Sequence, residues 1–404
     1  MSHEFLSFLL ALAVIIAAAK TGGYISVRLN QPSVLGELLV GILLGPTVIN
    51  MMQFDVLNGG GHGELVSETI HFLSELGVIL LMFVAGLELH MGELMKSGKV
   101  SVLAGSLGVF VPLGMGWGTA ILFGAEMNEA LFIGLALSAT SVSISAQTLL
   151  ELGVLRTRVG LAMLGSAVFD DILVLLLLST VFIVASGTGG VAEIALTMGK
   201  MALFLVVAAL IGQFIFPRAL HLADRRLNRF GLLAIALVFM LIFAWAAEYL
   251  GGLAAITGAF MAGLFMSQLP SKARIEEGVL ALAYGFFVPI FFINIGLGVN
   301  LMEISGNGWW LALALTFVAV ISKILGSGLG AKLSHFSNLE SLQLGIGMVS
   351  RGEVGLIVAS FALANGLISN DLFSIVVFMV IVATLLTPPM LRAAFKKEET
   401  AVSA

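Results

Sequence analysis

The sequence contains no cysteine, which excludes disulfides and thiolate metal sites, and its six histidines lie scattered without ligand spacing. Charge is scarce as well. Only 11% of the 404 residues are Asp, Glu, Lys or Arg, against about 25% in soluble domains, and 59% are hydrophobic. Such a chain cannot cover its surface with water-seeking groups, so it belongs in a bilayer. Short alternating strands are missing, which excludes a transmembrane barrel. A membrane enzyme would need a nucleophile beside a base or a cluster of metal ligands, and neither is legible here.

What the sequence does have is a series of apolar segments, mostly about 18 to 25 residues long, the length a helix needs to cross roughly 30 Å of hydrocarbon. The first, Phe5 to Ala19, follows His3 and Glu4 rather than a basic stretch, and is expected to span the membrane rather than be cleaved. The pattern predicts an all-α integral membrane protein of about thirteen transmembrane helices, beginning near residues 5, 33, 68, 99, 129, 158, 195, 231, 252, 278, 309, 340 and 371.

The net charge of -5 says little; the placement of the charges says more. Odd-numbered connections and the C-terminus carry Arg28, Lys96, Lys99, Arg156, Arg158, Arg218, Arg225, Arg226, Arg229, Lys272, Arg274, Lys332, Arg392, Lys396 and Lys397. Even connections carry acids such as Asp55, Glu64, Glu126, Glu129, Glu193 and Asp371, with Lys200 as the exception. The positive-inside rule then predicts a multi-pass protein of the plasma or inner membrane, N-terminus outside and C-terminus cytoplasmic. The Trp309-Trp310 pair at the start of a span reads as an interfacial anchor.

The chain repeats itself. "LLMFVAGLELHM" (Leu80 to Met91) resembles "FFINIGLGVNLM" (Phe291 to Met302), and "LGELLVGILLG" (Leu35 to Gly45) echoes "ITGAFMAGLFM" (Ile256 to Met266). The matched helices lie about seven spans apart, and an odd shift reverses direction across the membrane. Inverted-topology repeats, the architecture of many secondary transporters, are therefore expected.

Under that repeat the fifth span pairs with the twelfth, and both look interrupted. The fifth contains "SATSVSIS" (Ser138 to Ser145), with Thr140 and Ser141 at its centre, and the twelfth contains "GMVSRGEVGLI" (Gly347 to Ile357). Ser, Thr and Gly are weak helix formers, and hydroxyls can satisfy backbone groups that an unwound stretch leaves free. Two broken helices crossing in mid-membrane would aim half-helix ends and bare carbonyls at one small volume. Arg351 and Glu353 would neutralise those dipole ends and each other.

The strongest signal is "SAVFDDILVLLLLS" (Ser166 to Ser179), in which Asp170 and Asp171 head a run of leucines. A charge at the centre of a membrane helix costs about 2.5 to 3.5 kcal/mol on insertion scales. Two more charges, Lys323 in "VISKILGSGLG" and Arg351, also fall inside spans and are the obvious partners. Adjacent helix residues point about 100° apart, so the aspartates are expected to divide the work. One pairs with Lys323, while the other faces an aqueous cavity and binds a cation or a proton. Competition of the two for the same carboxylates, with alternating exposure to either side, yields exchange. Glu37, Glu248, Glu75 and Glu88 are weaker leads and read as structural.

At these residues the sequence resembles the monovalent cation:proton antiporter-2 family, the bacterial sodium/proton antiporters. The likeness runs from "QPSVLGELLVGILLGP" (Gln31 to Pro46) through "LLMFVAGLEL", "ATSVSISA", "FDD", "ISKILGSGLGA" and "SRGEVGLIVA" to "TPP" (Thr387 to Pro389). It implies a homodimer of thirteen-helix protomers in which a mobile core moves elevator-fashion against a dimerisation or scaffold domain. The core would comprise 68–186 and 309–392 with 276–302, the scaffold 1–50 and 231–269, the linking helix 195–219, and the cytoplasmic tail 393–404. The resemblance further implies that Asp171 is the ion-binding aspartate that takes sodium. Asp170 is then the partner of Lys323, Thr140 and Ser141 lie in one unwound crossing, and Arg351 and Glu353 lie in the other. It implies no cofactor, no nucleic-acid partner and no soluble regulatory domain beyond the dozen residues after Arg392; membrane lipids are the surroundings. Sodium or lithium for protons, electrogenically, is the expected exchange. A potassium/proton antiporter is the alternative within the family, and a passive cation channel the alternative outside it.

Overall fold

Hydrocarbon offers backbone N–H and C=O groups no partner but each other, so each apolar run closes its hydrogen bonds within itself. The computed structural model describes residues 3–29, 31–58, 63–88, 98–186, 191–226, 229–298, 300, 302, 304, 306 and 308–402, and every regular element among them is helical. In chain order these are α1 (His3–Arg28), α2 (Ser33–Leu44), α3 (Gly63–Glu88), α4 (Gly98–Leu122), α5 (Met127–Ser138), α6 (Val142–Glu151), α7 (Arg158–Ser186) and α8 (Val191–Arg226). There follow α9 (Arg229–Tyr249), α10 (Ala255–Met266), α11 (Lys272–Leu282), α12 (Val288–Leu297), α13 (Gly308–Leu333), α14 (Asn338–Gly347), α15 (Glu353–Ala364) and α16 (Asn370–Val402).

Ten of the described spans are long and apolar enough to cross a membrane, counting α5 with α6 and α11 with α12 as single runs. That is ten where thirteen were expected, and three other described segments fall short of the length and apolarity of a single span. Two, α2 and α10, are apolar helices of 12 residues, and the third is the interrupted pair α14 and α15. The chain is thus a multi-pass membrane protein, as its composition requires.

Packing divides the chain into two units. The first comprises residues 1–25, 36–95 and 195–298. Its core repeats at helical spacing: Ala11, Ile15 and Ala19 of α1 meet Val66 and Ile70 of α3 and Ile290 and Ile293 of α12. Pro289 has no N–H to return to the preceding turn, and at Ala283–Phe287 the helix widens into a π turn. The Tyr284 carbonyl there accepts from Lys20 Nζ at 2.8 Å. Elsewhere in the unit α3 and α10 cross backbone to backbone. A side chain at Gly86 would meet the Phe260 carbonyl, and one at Gly263 the Phe83 carbonyl.

The second unit comprises residues 26–35, 96–194 and 299–404, and holds both interrupted helices. Packing therefore sets α3 and the 272–298 segment with the first unit, whereas the sequence reading joined them to a moving core. Packing and motion divide a chain on different grounds, and the moving and static parts belong to the proposal below. Within the second unit α4 and α13 touch closely, because Gly326 and Gly330 rest on the backbone of Leu107 and Ala104. Val109, Ile133, Leu137, Ala319, Val358, Val376 and Met379 fill its apolar centre.

The α3–α10 crossing generates a test. Gly263→Leu should cost about 1 to 3 kcal/mol through overpacking. Gly118 of α4 has open space where a Cβ would stand, and Gly118→Ala should leave stability unchanged or raise it slightly. Thermal unfolding in detergent reads both; a Gly263→Leu protein as stable as wild type would contradict the close crossing.

Candidate functional site

Both expected interruptions are present, in the second unit. The first broken helix stops at Ser138, whose hydroxyl donates to the Leu135 carbonyl at 2.7 Å, and restarts at Val142. Between them Ala139 and Ser141 are extended, with ψ of 141° and 112°. The second begins at a capping box, in which Ser337 Oγ accepts from the Glu340 amide and Glu340 accepts from the Ser337 amide. It stops at Gly347 and restarts at Glu353.

The two interruptions are stitched together. The Ser141 amide donates to the Ser350 carbonyl at 2.9 Å, and Ser350 Oγ donates back to the Ser141 carbonyl at 2.6 Å. Ser145 Oγ reaches the Gly347 carbonyl and stands 2.8 Å from Ser350 Oγ. Gly352 is required here, because a Cβ would fall on Ser141. Serine thus does what the sequence suggests, satisfying backbone groups that an unwound membrane segment strands.

Arg351 is fully buried and binds carbonyls. One guanidinium nitrogen donates to the Ala139 carbonyl at 3.0 Å and, more loosely, to that of Met348 at 3.4 Å. The other donates to Ala319 of α13 at 3.0 Å. Ala139 and Met348 sit just past the C-terminal ends of α5 and α14, where helix dipoles concentrate negative potential. The expectation that Arg351 pairs with an aspartate is corrected in this respect: it lies within electrostatic reach of Asp170 and is hydrogen-bonded to backbone instead. The fork reaches carbonyls on both sides at once, and the Asp170 carboxylate is already held by Lys323.

Lys323 Nζ donates to Asp170 Oδ1 at 2.6 Å, with both side chains at 0% exposure. Asp171 follows at 2% exposure and lies within electrostatic reach of the same ammonium. Thr140 stands beside Asp170. Thr140 Oγ1, Asp170 Oδ2 and Asp171 Oδ1 are buried together in one place, with the Thr140 hydroxyl interacting with the Asp170 carboxylate. Such groups cluster where a ligand or a proton binds.

Six of the seven residues singled out in the sequence, Thr140, Ser141, Asp170, Asp171, Lys323 and Arg351, are buried in this one unit. Glu353 opens α15, and its side chain lies outside the described residues. The weaker leads sit apart: Glu75 and His71 of α3 are exposed and 3.4 Å from each other, and Glu37 is buried on α2. Trp309 stacks edge-on against Phe378, while Trp310 is exposed. Sequence reading missed Thr384 of α16, whose hydroxyl caps the Arg351 carbonyl. A lone threonine in an apolar run carries no signal of that role.

Residues 12–397 match the family model described as sodium/hydrogen exchanger, transmembrane. The chain is 41% identical over 400 residues, 98% of either chain, to the Na(+)/H(+)-K(+) antiporter GerN of Bacillus cereus. It is 36% identical to the Na(+)/H(+) antiporter of Enterococcus hirae, covering 97% of this chain and 99% of that one. Its fold is similar to that of the sodium proton antiporter MjNhaP1 of Methanocaldococcus jannaschii, with a TM-score of 0.70 and 14% identity over 96% of this chain and 97% of that one.

The ion pair and the arginine fork each predict a loss. Lys323→Ala strands Asp170 and should destabilise the protein by about 3 to 5 kcal/mol, whereas Asp170→Leu combined with Lys323→Met should recover most of that. Arg351→Lys cannot span Ala139 and Ala319 together, and should cost about 1.5 to 3 kcal/mol for each charged hydrogen bond lost. Detergent melting curves measure all three variants. Wild-type stability in Lys323→Ala would refute the pairing.

Proposed function

This chain belongs to the sodium/hydrogen exchanger family, and from that premise we propose that it exchanges sodium or lithium for protons across a membrane by alternating access. The observation that carries the reading is the buried Asp170–Lys323 ion pair with Asp171 beside it, in the unit where two broken helices cross. Charges so far from water are expensive and mark ion or proton pathways.

In this mechanism Asp171 takes the cation or the proton, and the buried oxygens of Thr140 and Asp170 complete the shell, with Ser141 adjoining. Occupation by one excludes the other. Asp170 is tied to Lys323 and Arg351 to backbone carbonyls, and Asp171, buried beside them within electrostatic reach of the same ammonium, takes the transported ion. In this reading 68–186 and 309–392, with 276–302, make up the moving core, 1–50 and 231–269 the scaffold of a homodimer, and 195–219 the linking helix. Basic connections place the C-terminus in the cytoplasm and the N-terminus outside, in a plasma or inner membrane. A surplus proton per cycle would make exchange respond to membrane potential, at about 2.3 kcal/mol per charge per 100 mV.

Potassium is the second reading, favoured by the name of the Bacillus cereus relative, which carries both sodium and potassium. Carboxylate oxygens alone do not select between the two ions; cavity size and ligand number do.

Reconstituted in liposomes with an acidic lumen, the protein should dissipate the proton gradient when sodium or lithium is added, as read by a pH-sensitive dye. Asp171→Asn should reduce that signal to the level of empty liposomes while leaving the melting curve in place. A response to potassium alone would establish the second reading. Sodium flux without proton flux would mean a channel, and an active Asp171→Asn would remove Asp171 from the site.

A further inference from the structure

Ser327 departs from a pattern that several buried hydroxyls of its unit follow. In membrane helices a buried hydroxyl commonly bonds the carbonyl four residues back. Thr148, Ser166, Thr316 and Thr387 of this unit do so, at 2.8, 2.7, 2.7 and 2.8 Å. Ser327 lies on α13 at 0% exposure, and its Oγ has no hydrogen-bond partner among the described residues. A buried hydroxyl without a partner costs about 1 to 3 kcal/mol, so its persistence calls for a reason.

Its position supplies one. Ser327 follows Lys323 by four residues, so the two side chains share a helix face, and helical side chains lean toward the N-terminus, which tilts Ser327 toward the lysine. Gly108 of α4 sits opposite both: Ser327 Oγ and Lys323 Nζ each fall within 4 Å of the point where a Cβ at 108 would stand. The ammonium has three donors. Asp170 Oδ1 takes one, in the only hydrogen bond from Nζ among the described residues.

We infer that Ser327 is a positioning residue that accepts the Lys323 ammonium when Asp170 gives up its side of the ion pair, with the space over Gly108 as the route between the two partners. The inference rests on the antiport reading. A proton or cation that engages Asp170 removes the only acidic acceptor hydrogen-bonded to Lys323, and a lysine with no alternative would hold the carboxylate closed against both. Ser327 lowers the energy of the released ammonium. An incoming proton forms an O–H bond on Asp170 and an incoming cation is coordinated by it; in either case the Lys323 N–H shifts its hydrogen bond from Asp170 Oδ1 to Ser327 Oγ and the ammonium keeps its own protons.

The test is exchange kinetics of the full chain in proteoliposomes. Ser327→Ala should raise the apparent KM for sodium about threefold to tenfold, the equivalent of one hydrogen bond, with the maximal rate nearly unchanged. The same variant should shift the pH dependence of exchange. Ser327→Thr, which keeps the acceptor, should restore both, and Ser327→Cys, which has a weak acceptor at similar volume, should behave like Ala. If Ser327→Ala does not fold, the contrast between Thr and Cys makes the same comparison. Equal KM values and pH profiles in folded variants, with wild type active, overturn this inference alone. A wild-type protein with no cation-driven proton movement overturns the antiport reading and this inference with it.

Discussion

The Asp170–Lys323 ion pair sets the terms for the second unit, because two full charges at 0% exposure survive only if each stays within reach of the other. That demand propagates outward. Asp170 rides on α7 and Lys323 on α13, so the two helices must keep register, and α13 is held against α4 by the bare faces of Gly326 and Gly330. One turn before Lys323, Ala319 gives its carbonyl to Arg351. The lysine helix is thereby tied to the crossing of the broken helices, and the crossing to the aspartates, through a single guanidinium.

Arg351 also settles which charge the crossing leaves for an ion. The unwound segments expose the carbonyls of Ala139 and Met348, at the ends where α5 and α14 are most negative. Left bare, those carbonyls would form a cation site of their own. Arg351 occupies that place, and Thr384 in turn fixes the Arg351 carbonyl. Beside that crossing the oxygens of Thr140, Asp170 and Asp171 are buried together. Under the proposed exchange, a cation is left to the carboxylates, whose protonation can displace it, rather than to carbonyls, which do not titrate.

Much of this was legible in the sequence, and the reason is energetic. Hydropathy and length reveal helices because lipid permits little else, and the short helices α2 and α10 escape a length criterion since 12 residues cover only about 18 Å. Asp170, Asp171, Lys323 and Arg351 stood out because a charge in a span is costly, and the cost announces itself without any structure. Partner choice was only half legible. Lys323 and Asp170 are complementary charges and few candidates competed, but the partners of Arg351 are backbone carbonyls, which every residue carries and no residue type marks. Thr384, Gly108 and Ser327 were silent for a related reason. Their roles depend on what faces them across a helix contact more than 30 residues away in sequence.

The charge count of the site bears on the proposed exchange. Four buried ionisable side chains, Asp170, Asp171, Lys323 and Arg351, carry formal charges that cancel. Swapping a sodium for one proton on Asp171 leaves the loaded site with the same charge in both directions, and membrane potential then has nothing to act on. Coupling to voltage requires a second group that changes protonation between the two loaded states. Arg351 is excluded by the intrinsic basicity of guanidinium, which among the four described groups leaves the Asp170–Lys323 pair as the place for the extra proton. An ion pair that opens when the cation binds and closes when it leaves is thus what an electrogenic cycle needs, and a pair too stable to open would yield electroneutral exchange at best. The worth of a second acceptor near Lys323 follows from this, since it makes opening affordable in a place where water cannot help.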